Sequence, residues 1–123
     1  MGCRVLIVED DALQGEALDA ILAGSGYEVC GRAKSGPAAL ALAKAERPDV
    51  VLMDVRLAGA WDGVDTAARI RAERACQVLF VTAQTDGGTR ARMNALNPAA
   101  VLIKPVSPDE IVAAVDRACR GAA

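Results

Sequence analysis

Five short runs rich in Val, Ile, Leu and Phe recur along the chain, at Arg4 to Val8, Glu28 to Arg32, Val50 to Met53, Gln77 to Val81 and Ala100 to Ile103. Each has the length of a strand. Three of them carry the continuous apolar stretches VLIV, VVLM and VLFV. Alternation is absent there, which is how strands buried on both faces of a parallel sheet read. Ala- and Leu-rich segments with helical spacing lie between the runs, and this repeated βα alternation predicts an α/β sandwich of parallel strands and helices.

Residues with capping chemistry mark the helix ends. Ser107-Pro108-Asp109-Glu110 reads as a capping box with Pro at the first helical position, followed by Ile111, Val112, Val115, Ala118 and Cys119 on one face. The first helix is expected to turn Leu13, Ala17, Leu18 and Ile21 inward and to stop at Gly24 and Gly26. A second opens at Ser35-Gly36-Pro37 and closes before Arg47-Pro48, and a third starts near Asp62-Gly63 and carries Val64, Ala67, Ala68 and Ile70. The fourth, from Gly87-Gly88-Thr89 to Asn97-Pro98, opens on two glycines and ends at a proline, so a short or mobile helix is expected.

Composition narrows the functions this fold can carry. The chain has 123 residues, 53% hydrophobic and 24% charged, which suits one globular domain with its own core. Lys plus Arg number 14 against 16 Asp plus Glu, so no basic field exists to hold nucleic acid. There is no histidine, which removes His metal sites and Ser-His-Asp or Cys-His catalysis. Aromatics are only 2%, too few for a base- or flavin-stacking surface. Cys3, Cys30, Cys76 and Cys119 form no C-x-x-C pair and read as small buried hydrophobes. No apolar run approaches a membrane span, and the first stops at Glu9-Asp10-Asp11, so no membrane association and a cytoplasmic location are expected.

In an open parallel sheet, ligands bind beyond the carboxyl ends of the strands, where strand order reverses. After the first strand come Glu9, Asp10 and Asp11; after the third, Asp54; after the fourth, Thr82; after the fifth, Lys104-Pro105. Either Asp10 or Asp11 is also a candidate cap for the first helix. If the first and third strands are neighbours, Asp10 and Asp54 approach closely, and two carboxylates about 5 Å apart repel by roughly 3 kcal/mol at an effective dielectric of about 20. A cation has to balance them. Mg²⁺ keeping several waters suits two or three carboxylates and a backbone carbonyl, and an ammonium opposite would complete a clamp for a phosphoryl group.

The ordered set Val8-Glu9-Asp10-Asp11, Met53-Asp54-Val55 with Asp62-Gly63, Val81-Thr82-Ala83 and Ile103-Lys104-Pro105 resembles the receiver domain of two-component response regulators, in the stand-alone, chemotaxis-type form. The resemblance spans nearly the whole chain. It implies a flavodoxin-like (βα)5 three-layer sandwich with a parallel sheet in the order 2-1-3-4-5, and a single receiver domain over 1–123 with no output domain. It makes Asp54 the phosphoacceptor, with Lys104 and Thr82 neutralising and hydrogen-bonding the phosphoryl oxygens. Mg²⁺ would be held by Asp10 and Asp54, by Glu9 through water and by the Arg56 carbonyl. The Lys104-Pro105 peptide is expected to be cis. The partners implied are a histidine kinase or phosphotransfer protein and a downstream protein bound by the face of helix four, strand five and helix five. Such a protein catalyses its own phosphorylation and dephosphorylation and is not a conventional turnover enzyme.

Three departures from the family pattern stand out. Val101 occupies the position of the usual aromatic switch residue, Pro98-Ala99-Ala100 replaces a Gly-Ala before the last strand, and the loop after Asp54 is one residue longer. They keep open a pseudo-receiver that acts only as an interaction module. A flavodoxin-like carrier lacks its stacking aromatics here, and an aspartyl phosphatase lacks its Asp-x-Asp pair, because Val55-Arg56 follows Asp54. Trp61 is expected to pack within its loop.

Overall fold

The structure is a computed structural model and describes residues 2–121. Ten elements alternate along the chain: β1 (Arg4–Val8), α1 (Ala12–Gly24), β2 (Glu28–Ala33), α2 (Gly36–Glu46), β3 (Val50–Met53), α3 (Gly63–Glu73), β4 (Gln77–Thr82), α4 (Gly87–Asn94), β5 (Ala100–Ile103) and α5 (Pro108–Gly121). All strand pairs are parallel, in the order β2-β1-β3-β4-β5. This is the flavodoxin-like sandwich.

The continuous apolar runs are explained by the two cores they serve. Leu6, Val8, Val51, Met53, Val78 and Phe80 point to one face and meet Ala39, Ala43, Val64, Ala67, Ile70 and Met93 from α2, α3 and α4. Val5, Ile7, Val50, Leu52, Leu79 and Val81 point to the other and meet Leu22, Ile111, Ala114, Val115 and Ala118 from α1 and α5. Successive residues of one strand enter opposite cores, so both parities must be apolar.

Helix starts follow the expected chemistry, with two refinements. Ser107 Oγ accepts from the Glu110 N–H at 3.2 Å while Glu110 Oε1 accepts from the Ser107 N–H at 3.1 Å, a complete capping box for α5. A second box, Asp62 with Asp65, opens α3. At α1 the cap is Asp11, whose Oδ1 accepts from the Gln14 N–H at 3.1 Å. That leaves Asp10 outside the cap. The inward face of α1 also differs from expectation: Gly15 and Leu22 are buried and Leu18 is half-buried, whereas Ala17 is exposed and Leu13 is 76% exposed. Leu13 lies two residues before Gly15, about 200° around the helix, and so faces away from the sheet. On α3, Thr66 is buried with Oγ1 donating to the Asp62 carbonyl at 2.8 Å, and Ala68 is exposed.

Helix α4 is short and buries only Met93. Polar side chains from α3 do much of the fastening. Arg92 makes a bidentate pair with Asp62, at 2.8 and 3.1 Å, and reaches Asp65 at 3.2 Å. Arg71 donates to the Leu96 and Asn97 carbonyls just past the same, C-terminal end of α4. Burial alone would push the Asp62 carboxyl up, but hydrogen bonds from Arg92 and the Asp65 N–H outweigh it and hold the group below its ordinary range.

The cysteines depart from the reading of four small hydrophobes. Cys3, just before β1, and Cys119, in the last turn of α5, form a disulfide across 116 residues of sequence with Cα atoms 5.9 Å apart. Cys30 and Cys76 are half-buried free thiols. A parallel sheet with α5 packed on its central strands brings the two chain ends together, which their sequence positions do not show.

Two outcomes follow from these fastenings. A cross-link closing so long a loop restricts the unfolded chain, so reduction, or Cys3→Ser with Cys119→Ser, is expected to lower the thermal midpoint by roughly 10 °C in a melt with and without reductant. Arg92→Ala is expected to cost about 0.5 kcal/mol at neutral pH. A carboxyl titrating low in the folded state stabilises above its unfolded pKa and loses that contribution as pH falls through its folded one. Denaturant titrations should therefore show the Arg92→Ala deficit at pH 7 and a shrinking one as pH falls through the acidic range.

Candidate functional site

Strand register brings the expected residues together. Val8 pairs with Met53, and Thr82 with Ile103, so the carboxyl ends of β1 and β3, and of β4 and β5, are level. Backbone bonds extend the ladders by one residue. The Glu9 N–H donates to the Ala33 carbonyl at 2.9 Å, Asp54 to Val8 at 3.0 Å, and Lys104 to Thr82 at 2.9 Å. Strand order reverses between β1 and β3, which is where a ligand cleft is expected. An open cleft of about 370 Å³ lies there, lined by Glu9, Asp10, Asp54, Arg56, Thr82 and Lys104 among others.

Lys104 is the centre of the site. Its Nζ donates to Asp54 Oδ2 at 2.8 Å, to Glu9 Oε1 at 2.9 Å and to Gln14 Oε1 at 2.5 Å. Burial alone would lower the ammonium pKa, but hydrogen bonds and charge from Asp54 and Glu9 outweigh it and raise the value. Glu9 is 5% exposed. Burial pushes its carboxyl up, against the pull of Lys104 and of the Asp11 N–H on Oε2 at 3.2 Å. The ammonium is thus firmly charged, and burial works against the charge of Glu9.

Asp54 is 7% exposed, with Oδ1 accepting from the Arg56 N–H at 3.2 Å. Asp10 is exposed at the mouth of the cleft. Carboxylate oxygens of Glu9, Asp10 and Asp54 lie within 4.8 Å of one another. Three hard oxygen donors from two strand ends, one of them open to water, fit a small divalent cation that keeps part of its hydration shell. Thr82 is fully buried at the floor, where Oγ1 accepts from the Gln84 N–H at 3.0 Å. Arg56 enters the cleft through its backbone N–H, and its side chain is exposed at the rim. Lys104-Pro105 is cis, as expected.

The loop after Asp54 is pinned at both ends. The Gly63 N–H donates to the Val55 carbonyl at 2.7 Å, and a Cβ added to Gly63 would lie 1.9 Å from the Asp54 carbonyl oxygen. Only glycine lets α3 start this close to the Asp54 backbone. Trp61 packs against two helices rather than within its own loop: a Cβ on Gly36 at the start of α2 would lie 2.7 Å from its ring, and the guanidinium of Arg69 on α3 covers it at 4.0 Å. Gln14 is the site residue that the strand-end pattern does not include. It follows the Asp11 cap by three residues, on the first turn of α1 beside the cleft.

Glu9, Asp10, Asp54, Thr82 and Lys104 at the carboxyl ends of a 2-1-3-4-5 sheet define a receiver domain. A profile of the response regulator receiver domain matches residues 5–116, and the chain belongs to that family. It is 36% identical over 115 residues to the transcriptional regulatory protein PdtaR of Mycobacterium tuberculosis, covering 94% of this chain and 56% of that protein. It is 36% identical to the DNA-binding response regulator MtrA of Mycobacterium leprae over 91% of this chain and 49% of that one. The chain thus spans about half the length of these relatives. Among solved structures, the signal receiver domain of a modulated diguanylate cyclase from Desulfovibrio desulfuricans G20 superposes with a TM-score of 0.93 at 37% identity, covering 99% of this chain and 97% of that one. The receiver domain of a response regulator, NarL, from Mycobacterium tuberculosis superposes with a TM-score of 0.90 at 35% identity, with 98% of each chain covered. No helix among the described residues is long and apolar enough to cross a membrane.

Lys104→Met is expected to destabilise the protein by about 2–4 kcal/mol in the absence of divalent cations, because it leaves Glu9 and Asp54 buried without a counter-charge. Denaturant unfolding measures this, and adding Glu9→Gln to Lys104→Met should recover part of the loss.

Proposed function

We propose that the chain is a Mg²⁺-dependent phosphoacceptor that takes a phosphoryl group onto Asp54 from the phosphohistidine of a histidine kinase or phosphotransfer protein. The observation that carries this reading is the Lys104 ammonium at 2.8 Å from a nearly buried Asp54 carboxylate, with Asp10 and Glu9 alongside. An Asp54 oxygen attacks phosphorus, the P–N bond breaks, and the electron pair leaves on the imidazole nitrogen, giving an aspartyl-phosphate. Asp10, Asp54 and Glu9, with the Arg56 backbone, would hold Mg²⁺, which supplies charge neutralisation to the phosphoryl oxygens.

The chain's own groups do the positioning. The Arg56 N–H orients one Asp54 oxygen, Lys104 turns from the carboxylate to a phosphoryl oxygen as charge moves there, and Thr82 donates its hydroxyl to another. These are electrostatic and orienting contributions, the kind that dominate phosphoryl transfer. The modified state acts on a downstream protein through the surface of α4, β5 and α5, which the short and lightly packed α4 leaves adjustable.

Incubation with acetyl phosphate and Mg²⁺ is expected to add one phosphoryl group in intact mass. Asp54→Asn and chelation by EDTA should both abolish it, and Mg²⁺ should raise the thermal midpoint of the wild type. An unmodified wild type would leave the pseudo-receiver as the reading.

A further inference from the structure

A lysine ammonium has three N–H donors and no acceptor. All three donors of Lys104 are taken, by Asp54, Glu9 and Gln14. The first two acceptors are carboxylates at strand ends. Gln14 is neutral and comes from the first turn of α1, a turn fixed by its own N–H bond to Asp11. Since the ammonium only donates, the Gln14 amide must present oxygen to it, which fixes the orientation of the amide.

We propose that Gln14 is a positioning residue that holds the Lys104 ammonium over Asp54 during phosphoryl transfer, as a neutral third anchor. The inference rests on the phosphoacceptor reading. When an Asp54 oxygen bonds to phosphorus, the negative charge of the carboxylate passes to the phosphoryl oxygens, and the Lys104–Asp54 bond loses its charge-assisted strength. That N–H turns to a phosphoryl oxygen. Glu9 and Gln14 stay as the two points about which the ammonium pivots. A carboxylate at position 14 would hold the ammonium equally well, yet would face the incoming phosphoryl oxygens with another negative charge. An aliphatic residue would leave one N–H to water and the ammonium suspended between two carboxylates. An amide avoids both faults.

Gln14→Leu and Gln14→Glu test this, since position 14 is an exposed helical site that accepts either residue. The first readout is the ¹⁵N resonance of the Lys104 ammonium in the unphosphorylated protein, assigned with Lys104→Arg. It should be protected from exchange in the wild type, broadened in Gln14→Leu and retained in Gln14→Glu. The second is the rate of adduct formation from acetyl phosphate, expected to fall about three- to tenfold in Gln14→Leu, the range for losing one hydrogen bond at a solvent-exposed position. In Gln14→Glu the rate should fall as well, despite the intact ammonium signal, because of the added charge. A wild type that is phosphorylated alongside a Gln14→Leu protein with unchanged signal and rate overturns the role of Gln14 alone. A wild type that takes up no phosphoryl group overturns the phosphoacceptor reading and the transfer role together.

Discussion

Lys104 lies 95 residues from Glu9 and 50 from Asp54 in the chain, yet its ammonium bonds to both. That contact depends on the register of β1, β3, β4 and β5, because each of the three side chains leaves its strand directly after the last ladder bond. A slip of one residue would turn the side chain to the opposite face of the sheet. Register is supported by the fit of side chains in the two cores: Leu6 and Val8 enter one, Val5 and Ile7 the other, and a one-residue slip would exchange the two sets. The buried sheet thereby sets the geometry of a polar cluster at its edge.

The electrostatics of the cluster are asymmetric. Glu9 is nearly inaccessible and its carboxyl is pushed up by burial, while Lys104 gains from both carboxylates and is held in its charged form. One ammonium faces three carboxylates, so the described site keeps an excess of negative charge, with Asp10 the most exposed of the three. This is a poised arrangement. A cation entering by Asp10 meets oxygen donors already converged, and an anionic group arriving later meets the ammonium.

Much of this could be read in the residues alone. Continuous apolar runs identify a sheet covered on both faces, since only two cores explain two apolar parities, and the polar residues after those runs mark the cleft edge. Strand order was less accessible, because periodicity carries no information on which strands are neighbours; it came through the family resemblance. The errors have equally physical causes. Leu13 looked inward because its helical spacing to Ala17 and Ile21 is regular, but of these three only Ile21 packs against the core, with Leu18 and Leu22, and Gly15 on that face gives no hydrophobic signal. Cys3 and Cys119 meet only through the closure of the whole fold. Gln14 resembles any solvated helix residue until the position of Lys104 is known. The Asp62–Asp65 box escapes the rule that marks Ser107 and Glu110, because that rule looks for Ser or Thr followed by Glu or Gln.

What connects the cleft to α4 is polar and continuous. The Asp54 carbonyl rests against Gly63, the adjacent Asp62 caps α3, and Asp62 holds Arg92 on α4 by two bonds. Val101, by contrast, is a half-buried aliphatic residue packed against the core shared by α2, α3 and α4, with no polar atom to exchange between site and surface. Met93 is the single buried anchor of α4, so the helix has little hydrophobic area resisting a small shift. Side chains from the start and the last turn of α3 hold the C-terminal end of α4, and α3 itself begins in contact with the Asp54 backbone. One continuous path from Asp54 to α4 therefore runs through backbone, cap and ion pair, and the side chain at position 101 lies off it.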